Sequence, residues 1–303
     1  MWCRHCTNIM PTRLRFEFNL DGTGYIDLAK EMSKVQRKMV RQGQNFVIHG
    51  GLIQDANNEY TVRFNTAPQS WVVGTALRRA RKMWNASYDT VLREGGIGRV
   101  KPKYWDWKVY LDDAHAAGAT TIGVVDAGGN GYPSGEWEYS HFVSEDIDWS
   151  NPALLSAANR DADNFTAHIV GAKQGAPGNW TSVGIIESWR ETRAEPDRDD
   201  PDVPATVATD PLANLFDEAD ADDEKLTRLL SDGDNPPYDE DDVPGDGSTG
   251  LERMAMAATS TSNPIVSFGG FVAPHGLIQV SASRASSGVC TVLMDVEAVG
   301  GIY

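Results

Sequence analysis

The feature that most constrains folding is a succession of short, alternating segments that follow one another without a helix between them over the second half of the chain. From Arg13 to Leu20, RLRFEFNL sets Leu14, Phe16, Phe18 and Leu20 on one face and Arg13, Arg15, Glu17 and Asn19 on the other, which predicts a half-buried strand. NFVIHGGLI (45–53) and YTVRFNTA (60–67) look like a hairpin. KYWDWKVYL (103–111), TTIGVVDA (120–127), WEYSHFV (137–143), FTAHIVGA (165–172) and SVGIIESW (182–189) follow, separated by Gly, Pro, Asn and Ser. The chain closes on NPIVSFGGFVAPHGLIQVSAS and GVCTVLMDVEAVGGIY, where Gly269, Gly270 and Pro274 predict a bulge or a break into two strands. A parallel sheet needs crossover helices, and these runs have none. The fold class expected is mainly β, an antiparallel jelly-roll sandwich of about ten strands with two early helices and an acidic, partly helical insertion.

The two helices are predicted over Tyr25–Gln42 and Ser70–Glu94. The first follows the turn DGTG, with Thr23 as its cap, buries Leu28, Met32, Val35 and Met39, and stops before Gly43. The second buries Val73, Leu77, Ala80, Trp84 and Val91 and ends at Gly95-Gly96. At 100° per residue, Lys30, Lys34, Arg37 and Arg41 fall opposite the first apolar stripe, and Arg78, Arg79, Lys82 and Arg93 opposite the second. Such ridges are either solvated helix faces or surfaces that neutralise a nucleic-acid backbone without reading its sequence.

Charge matters here because the whole chain is acidic, with a formal net charge of -16, which taken alone argues against a nucleic-acid partner. Residues 1–110, however, carry 18 Lys and Arg against 9 Asp and Glu, while the stretch from Glu187 to Arg253 carries 22 acids against 6 bases. One segment therefore accounts for the whole imbalance, and the first third is basic. The domain layout expected is an extension over 1–9, a jelly-roll core over 10–186 and 251–303, and an acidic insertion over 187–250. Within the insertion, PLANLFDEAD and DDEKLTRLLSD suit short amphipathic helices.

Signatures of catalysis are missing. GGNGYPSG (128–135) has glycines but lacks the Lys-Ser/Thr of a phosphate loop and precedes a strand, so it reads as a hairpin turn. There is no G-x-S-x-G elbow, and the six histidines are scattered singly. Cys3, His5 and Cys6 form half of a zinc pattern without its second half, and DEADADDE (217–224) lacks the turn glycine of a calcium loop. No catalytic residue, metal or cofactor is expected. Neither a membrane span nor the apolar core of a signal peptide is evident, and three cysteines make no disulfide framework, so a reducing compartment is expected. Tyr104, Trp105, Trp107 and Tyr110 could form an aromatic platform for a sugar or base, with Trp105 and Trp107 on one strand face and Tyr104 and Tyr110 on the other.

Several phrases carry a resemblance: FNTAPQSWVVGTALRRARKMWN (64–85), KPKYWDWKVYL (101–111), LLSDGDNPPYDEDDVPG (229–245), FGGFVAPHGLIQVSA (268–282) and VLMDVEAVGGIY (292–303). In these and in the order of its elements the chain resembles the single jelly-roll capsid proteins of small circular single-stranded DNA viruses. The resemblance implies a coat subunit that assembles with copies of itself into an icosahedral virion inside a host cell, enclosing a nucleic-acid genome through non-specific phosphate contacts, with no membrane partner. That family commonly carries an arginine-rich N-terminal arm. This sequence has only Arg4, Arg13 and Arg15 there, so genome contact would fall on Arg13, Arg15 and the two helix ridges. The alternative from a different class is a β-sandwich that binds a carbohydrate or another ligand without catalysis.

Overall fold

In a computed structural model, residues 11–55, 58–95, 104, 106–145, 162–175, 180–191, 243–247 and 250–301 are described. The extension over 1–9 with its Cys3, His5 and Cys6, the two acidic helices expected within 211–232 and the run 217–224 lie outside them, as does Trp105. The chain divides into two compact units, one of Met1–Trp189 with Pro244–Tyr303 and the other of Arg190–Val243.

The first unit is built on two four-stranded sheets. One has the order β1 (Thr12–Phe18), β11 (Cys290–Gly301), β3 (Gln44–Asp55), β9 (Ile265–Pro274). The other has the order β2 (Gly22–Asp27), β10 (Leu277–Ser283), β4 (Thr61–Thr66), β8 (Glu252–Ala258). Every pairing in both is antiparallel. Period-2 alternation drives them together: Leu14 and Phe16 of β1, Val62 and Phe64 of β4, and Val292, Met294 and Val296 of β11 point into one buried core. Phe64 joins the layers, its ring centroid 4.7 Å from Phe268 and 6.0 Å from Phe271 across the sandwich.

Strand β3 buries Phe46 and Ile48 but then Ile53, a change of parity. A register shift opposite Asp295 and Val296 inserts His49 as an extra residue, with Gly50 at φ 140, and so returns Ile53 to the core. The late apolar run breaks after Pro274 at His275-Gly276, both at positive φ, into β9 and β10. Its glycines keep their register against β3 on either side, with Ile48 opposite Phe271 and Gly50 opposite Gly269.

The sequence expectations change in five places. GTGYID is strand β2, not a turn leading into a helix, because Tyr25 and Ile26 pair with Gln279 and Ile278 of β10. The first helix, α1, therefore covers only Leu28–Gln36, capped by Asp27, and stops where Arg37 turns left-handed at φ 51. Of the expected strands over 103–111 and 120–127, the described residues form only isolated bridges, at Tyr110, Thr121, Val124 and Val125. SVGIIESW is a short strand, β7 (Ser182–Gly184), running into helix α4 (Ile185–Glu191). Finally, NFVIHGGLI and YTVRFNTA do not form a hairpin, since β3 pairs with β11 and β9 in one sheet and β4 with β10 and β8 in the other. ERMAMAA, for which no element is expected from the sequence, is the edge strand β8, which buries little more than Ala257.

The eight sandwich strands come from 12–66 and 252–301 alone. Residues between them supply helix α2 (Trp71–Glu94), the single turn α3 (Asp113–Ala116) and a small sheet in which β5 (His141–Glu145) pairs antiparallel with β6 (Ala162–His168), itself parallel to β7. One piece of this insertion closes an open side of the sandwich. Thr120 O accepts from Tyr25 N, Ile122 N donates to Tyr25 O, and Val125 N donates to Arg15 O, so residues 120–125 cover the free edges of β2 and β1 together. Among the described residues, no helix is long and apolar enough to cross a membrane.

Candidate nucleic-acid interface

The ten cations expected to meet nucleic acid fall into three groups. Arg13 is held by Asp295 through two hydrogen bonds of 2.7 Å, Arg15 by Glu17 at 2.9 Å through Nε, and Arg41 by Asp106 at 2.7 Å. Lys34 is nearly buried and pairs with both oxygens of Glu31 at 2.6 and 2.8 Å. Glu31 also accepts from Val124 N at 2.8 Å, which ties α1 to the segment covering the sheet edges. The second group comprises Arg78, Arg79, Lys82 and Arg93, all exposed along α2. Arg78 reaches only its neighbour Thr75, at 3.1 Å. The third is Lys30 and Arg37, and the structure gives them companions that periodicity did not find.

Because α1 ends at Gln36, Arg37 and Arg41 are not on it, and the expected four-residue ridge does not exist. Lys30, Lys34, Arg37 and Lys38 instead line one side of a cavity of about 250 Å³. The opposite side is the loop Pro133–Trp137, which follows the tight turn at Asp126–Asn130, where Asp126 Oδ1 accepts from Gly128 N and Asn130 N at 2.8 and 2.9 Å. That turn is the expected hairpin turn at the glycine-rich segment, with Val125 bridged to Gly131. Tyr104 and Lys108 complete the cavity. Lys108 was hidden in the sequence because alternation placed it on a half-exposed face, whereas it is only 6% exposed.

Two lining residues, Lys30 and Trp137, are tied to a buried polar cluster centred on Asp27. Asp27 caps α1 by accepting from Lys30 N at 3.1 Å, and its other oxygen accepts from Gln42 Nε2, Trp137 Nε1 and Tyr139 OH at 3.2, 3.1 and 3.3 Å. Burial outweighs these donors and pushes the Asp27 carboxyl up to about 6. Gln42 is fixed in turn by Val109, whose N–H it accepts at 2.6 Å and whose carbonyl it donates to at 3.0 Å. Lys108 Nζ stands 4.8 Å from the Trp137 ring centroid, and burial holds its ammonium below the ordinary lysine range.

No family model, curated protein or solved structure matches the chain. The chemistry is therefore argued from the geometry alone. Among the described residues no group of three or more His, Cys, Asp and Glu is placed to hold a metal. His168 is buried between Ser182 Oγ at 2.7 Å and the Ala172 carbonyl at 3.0 Å, and His115 accepts from Leu111 N while stacking on Tyr25 at 4.6 Å. Both are structural. The aromatic platform does not form: Trp107 is fully buried against Trp84 and Phe142, and Tyr110 stacks on Tyr139 at 3.8 Å. Of the described members Tyr104 alone is exposed, at 66%, and it lines the cavity.

Proposed function

We propose that the protein is a viral coat subunit, a jelly roll that assembles with copies of itself into a closed shell around a nucleic-acid genome. The observation that carries this is the pairing of the sandwich strands. Taken in chain order, the eight pair first with last (β1 with β11), second with seventh (β2 with β10), third with sixth (β3 with β9) and fourth with fifth (β4 with β8). A long antiparallel ribbon rolled onto itself gives that nesting, and the two sheet orders then follow as two Greek keys. Jelly rolls serve several functions, so the step from fold to shell rests on analogy, supported by the resemblance of segments 64–85, 101–111, 229–245, 268–282 and 292–303 to coat proteins of single-stranded DNA viruses.

Genome contact is supported by the exposed row of Arg78, Arg79, Lys82 and Arg93, which can neutralise phosphates without reading bases. Repetition under symmetry multiplies such a row over the inside of a shell. Size-exclusion chromatography with negative-stain microscopy of the full chain tests the assembly, with closed particles of uniform diameter as the expected result. A monomer that persists across salt concentration and pH would overturn it. Changing Arg78, Arg79, Lys82 and Arg93 together to Gln is expected to lower the salt slope of single-strand binding by about 3, and an unchanged slope would remove α2 from the interface.

A further inference from the structure

The cavity beside α1 carries more cations than its structural role needs. Lys34 already answers Glu31, yet Lys30, Arg37, Lys38 and Lys108 surround the same space, and among the described residues none of the four has a carboxylate within ion-pair distance. Glu136 is the one acidic side chain among the lining residues. Cations on a solvated surface cost little, but Lys108 is buried: its ammonium stands over the ring of Trp137, and Asp106, Asp27 and Glu138 act on it from beyond ion-pair distance without offsetting the burial. The downward displacement of its titration by burial points the same way: its charge is under-compensated, and an anion in the cavity would restore it.

The space is also too large and too mixed in character for a simple anion. At about 250 Å³ it approaches the lower end of small-molecule sites, and its lining includes Tyr104, 66% exposed, and Pro133–Gly135 as well as the cations. A duplex cannot enter such a recess. A single strand can, since it can turn one base onto an aromatic ring while its phosphate meets lysine and arginine.

We propose that this cavity binds one nucleotide unit of single-stranded nucleic acid, its phosphate among Lys30, Arg37, Lys38 and Lys108 and its base on Tyr104. This deepens the genome-binding part of the function proposed above. It would give the subunit a fixed seat for one nucleotide, in addition to the diffuse attraction of α2.

Fluorescence anisotropy of a labelled short oligodeoxythymidylate on the full-length protein provides the test, with thymidine monophosphate, thymidine and inorganic phosphate as competitors. Thymidine monophosphate is expected to displace part of the signal at concentrations where inorganic phosphate and thymidine do not. Tyr104→Ala is expected to weaken oligonucleotide and monophosphate binding about 5-fold or more, the range for loss of one base stack. The surface double variant Arg37→Gln with Lys38→Gln is expected to weaken the monophosphate while leaving the thermal midpoint in place. Equal competition by phosphate and monophosphate, or no effect of Tyr104→Ala, would reduce the cavity to an anion site and overturn the proposal. Monophosphate binding that the oligonucleotide cannot displace would overturn it too, by assigning the cavity to a free nucleotide. Particles counted by microscopy in the same preparations keep the two proposals separate: shells that bind no nucleotide refute only the seat, and nucleotide binding by a permanent monomer refutes only the shell.

Discussion

The two basic segments, 30–41 and 78–93, each place their charges on one face at helical period and end in opposite situations. On α2 the spacing is realised, since 24 residues of continuous helix keep Arg78, Arg79, Lys82 and Arg93 in solvent while Val73, Leu77 and Trp84 face inward. On α1 it is cut short, because β2 takes residues 22–27 and Arg37 turns left-handed, which leaves nine residues for the helix. The cations beyond its end are then free to fold round a cavity instead of standing in a row. Charge spacing thus predicts a surface only where the helix runs its full expected length.

The largest way to break that contrast is to undermine the support of α2. Trp107 packs edge-on against Trp84 of the helix, with centroids 5.8 Å apart, and against Phe142 of β5 at 5.6 Å. Trp107→Ala is expected to cost about 3–5 kcal/mol, read from denaturant unfolding, and to speed amide exchange in α2 before that in β1 and β11. Trp107→Phe is expected to be far milder, because the buried indole N–H has no acceptor among the described residues. Uniform exchange across helix and sandwich in the Ala variant would show that α2 is not separately anchored.

Next is the ion pair that sets α1 apart. Glu31 and Lys34 are both largely withdrawn from solvent, so Glu31→Gln strands an ammonium and is expected to cost about 2–3 kcal/mol. Adding Lys34→Met should recover most of that loss. If the double variant is no more stable than Glu31→Gln alone, Lys34 is not the group that Glu31 serves.

The strands that close the core were legible in the sequence, and for a plain reason. Leu14, Phe16 and Phe18, like Val292, Met294 and Val296, alternate in a sheet with one buried face, and that pattern survives in any context. Strand β8 escaped because an edge strand buries too little to leave a pattern in its sequence. Tyr25 and Ile26 misled because a helix period and a strand period coincide over so few residues, and the partner that decides between them, β10, lies some 250 residues away. Of the site, Lys30 and Arg37 could be named, but Lys108 and the loop Pro133–Trp137 could not. Their joining depends on Gln42 bridging to Val109 and on residues 120–125 covering two sheet edges, contacts that no local spacing encodes.

Acidity should separate the two helices further. Burial raises the Asp27 carboxyl at the start of α1 to about 6, so its contribution to stability is fully present below about pH 4 and lost as pH rises through 6. His275, buried and placed where Arg81 of α2 also lowers its affinity for protons, is depressed to about 3, and His115 to about 4 by burial and then by Lys30. Their contributions are present above about pH 6.5 and lost as pH falls towards those values. The histidines outweigh the single carboxyl, so the net expectation is a loss of about 3 kcal/mol between pH 7 and pH 4.5. Asp27→Asn removes the opposing gain and should make the fall steeper. A shallower fall would reverse the sign assigned to Asp27.

The smallest effect is expected at Arg13, and it sharpens the comparison most directly. Its guanidinium already meets Asp295 through two short hydrogen bonds on an exposed strand, so it presents α2's kind of charge in α1's kind of paired state. An exposed pair of this type adds little to folding, because water and salt screen it. Arg13→Gln should therefore leave the thermal midpoint unchanged at physiological salt. It should also leave the salt slope of single-strand binding unchanged, since a phosphate would have to displace a carboxylate that is covalently tethered nearby. A slope lowered by about 1 would mean that Arg13 exchanges Asp295 for phosphate, and that a pairing partner does not by itself withdraw a cation from the interface. In that case Arg15 and Arg41, paired in the same manner, would rejoin the interface with it.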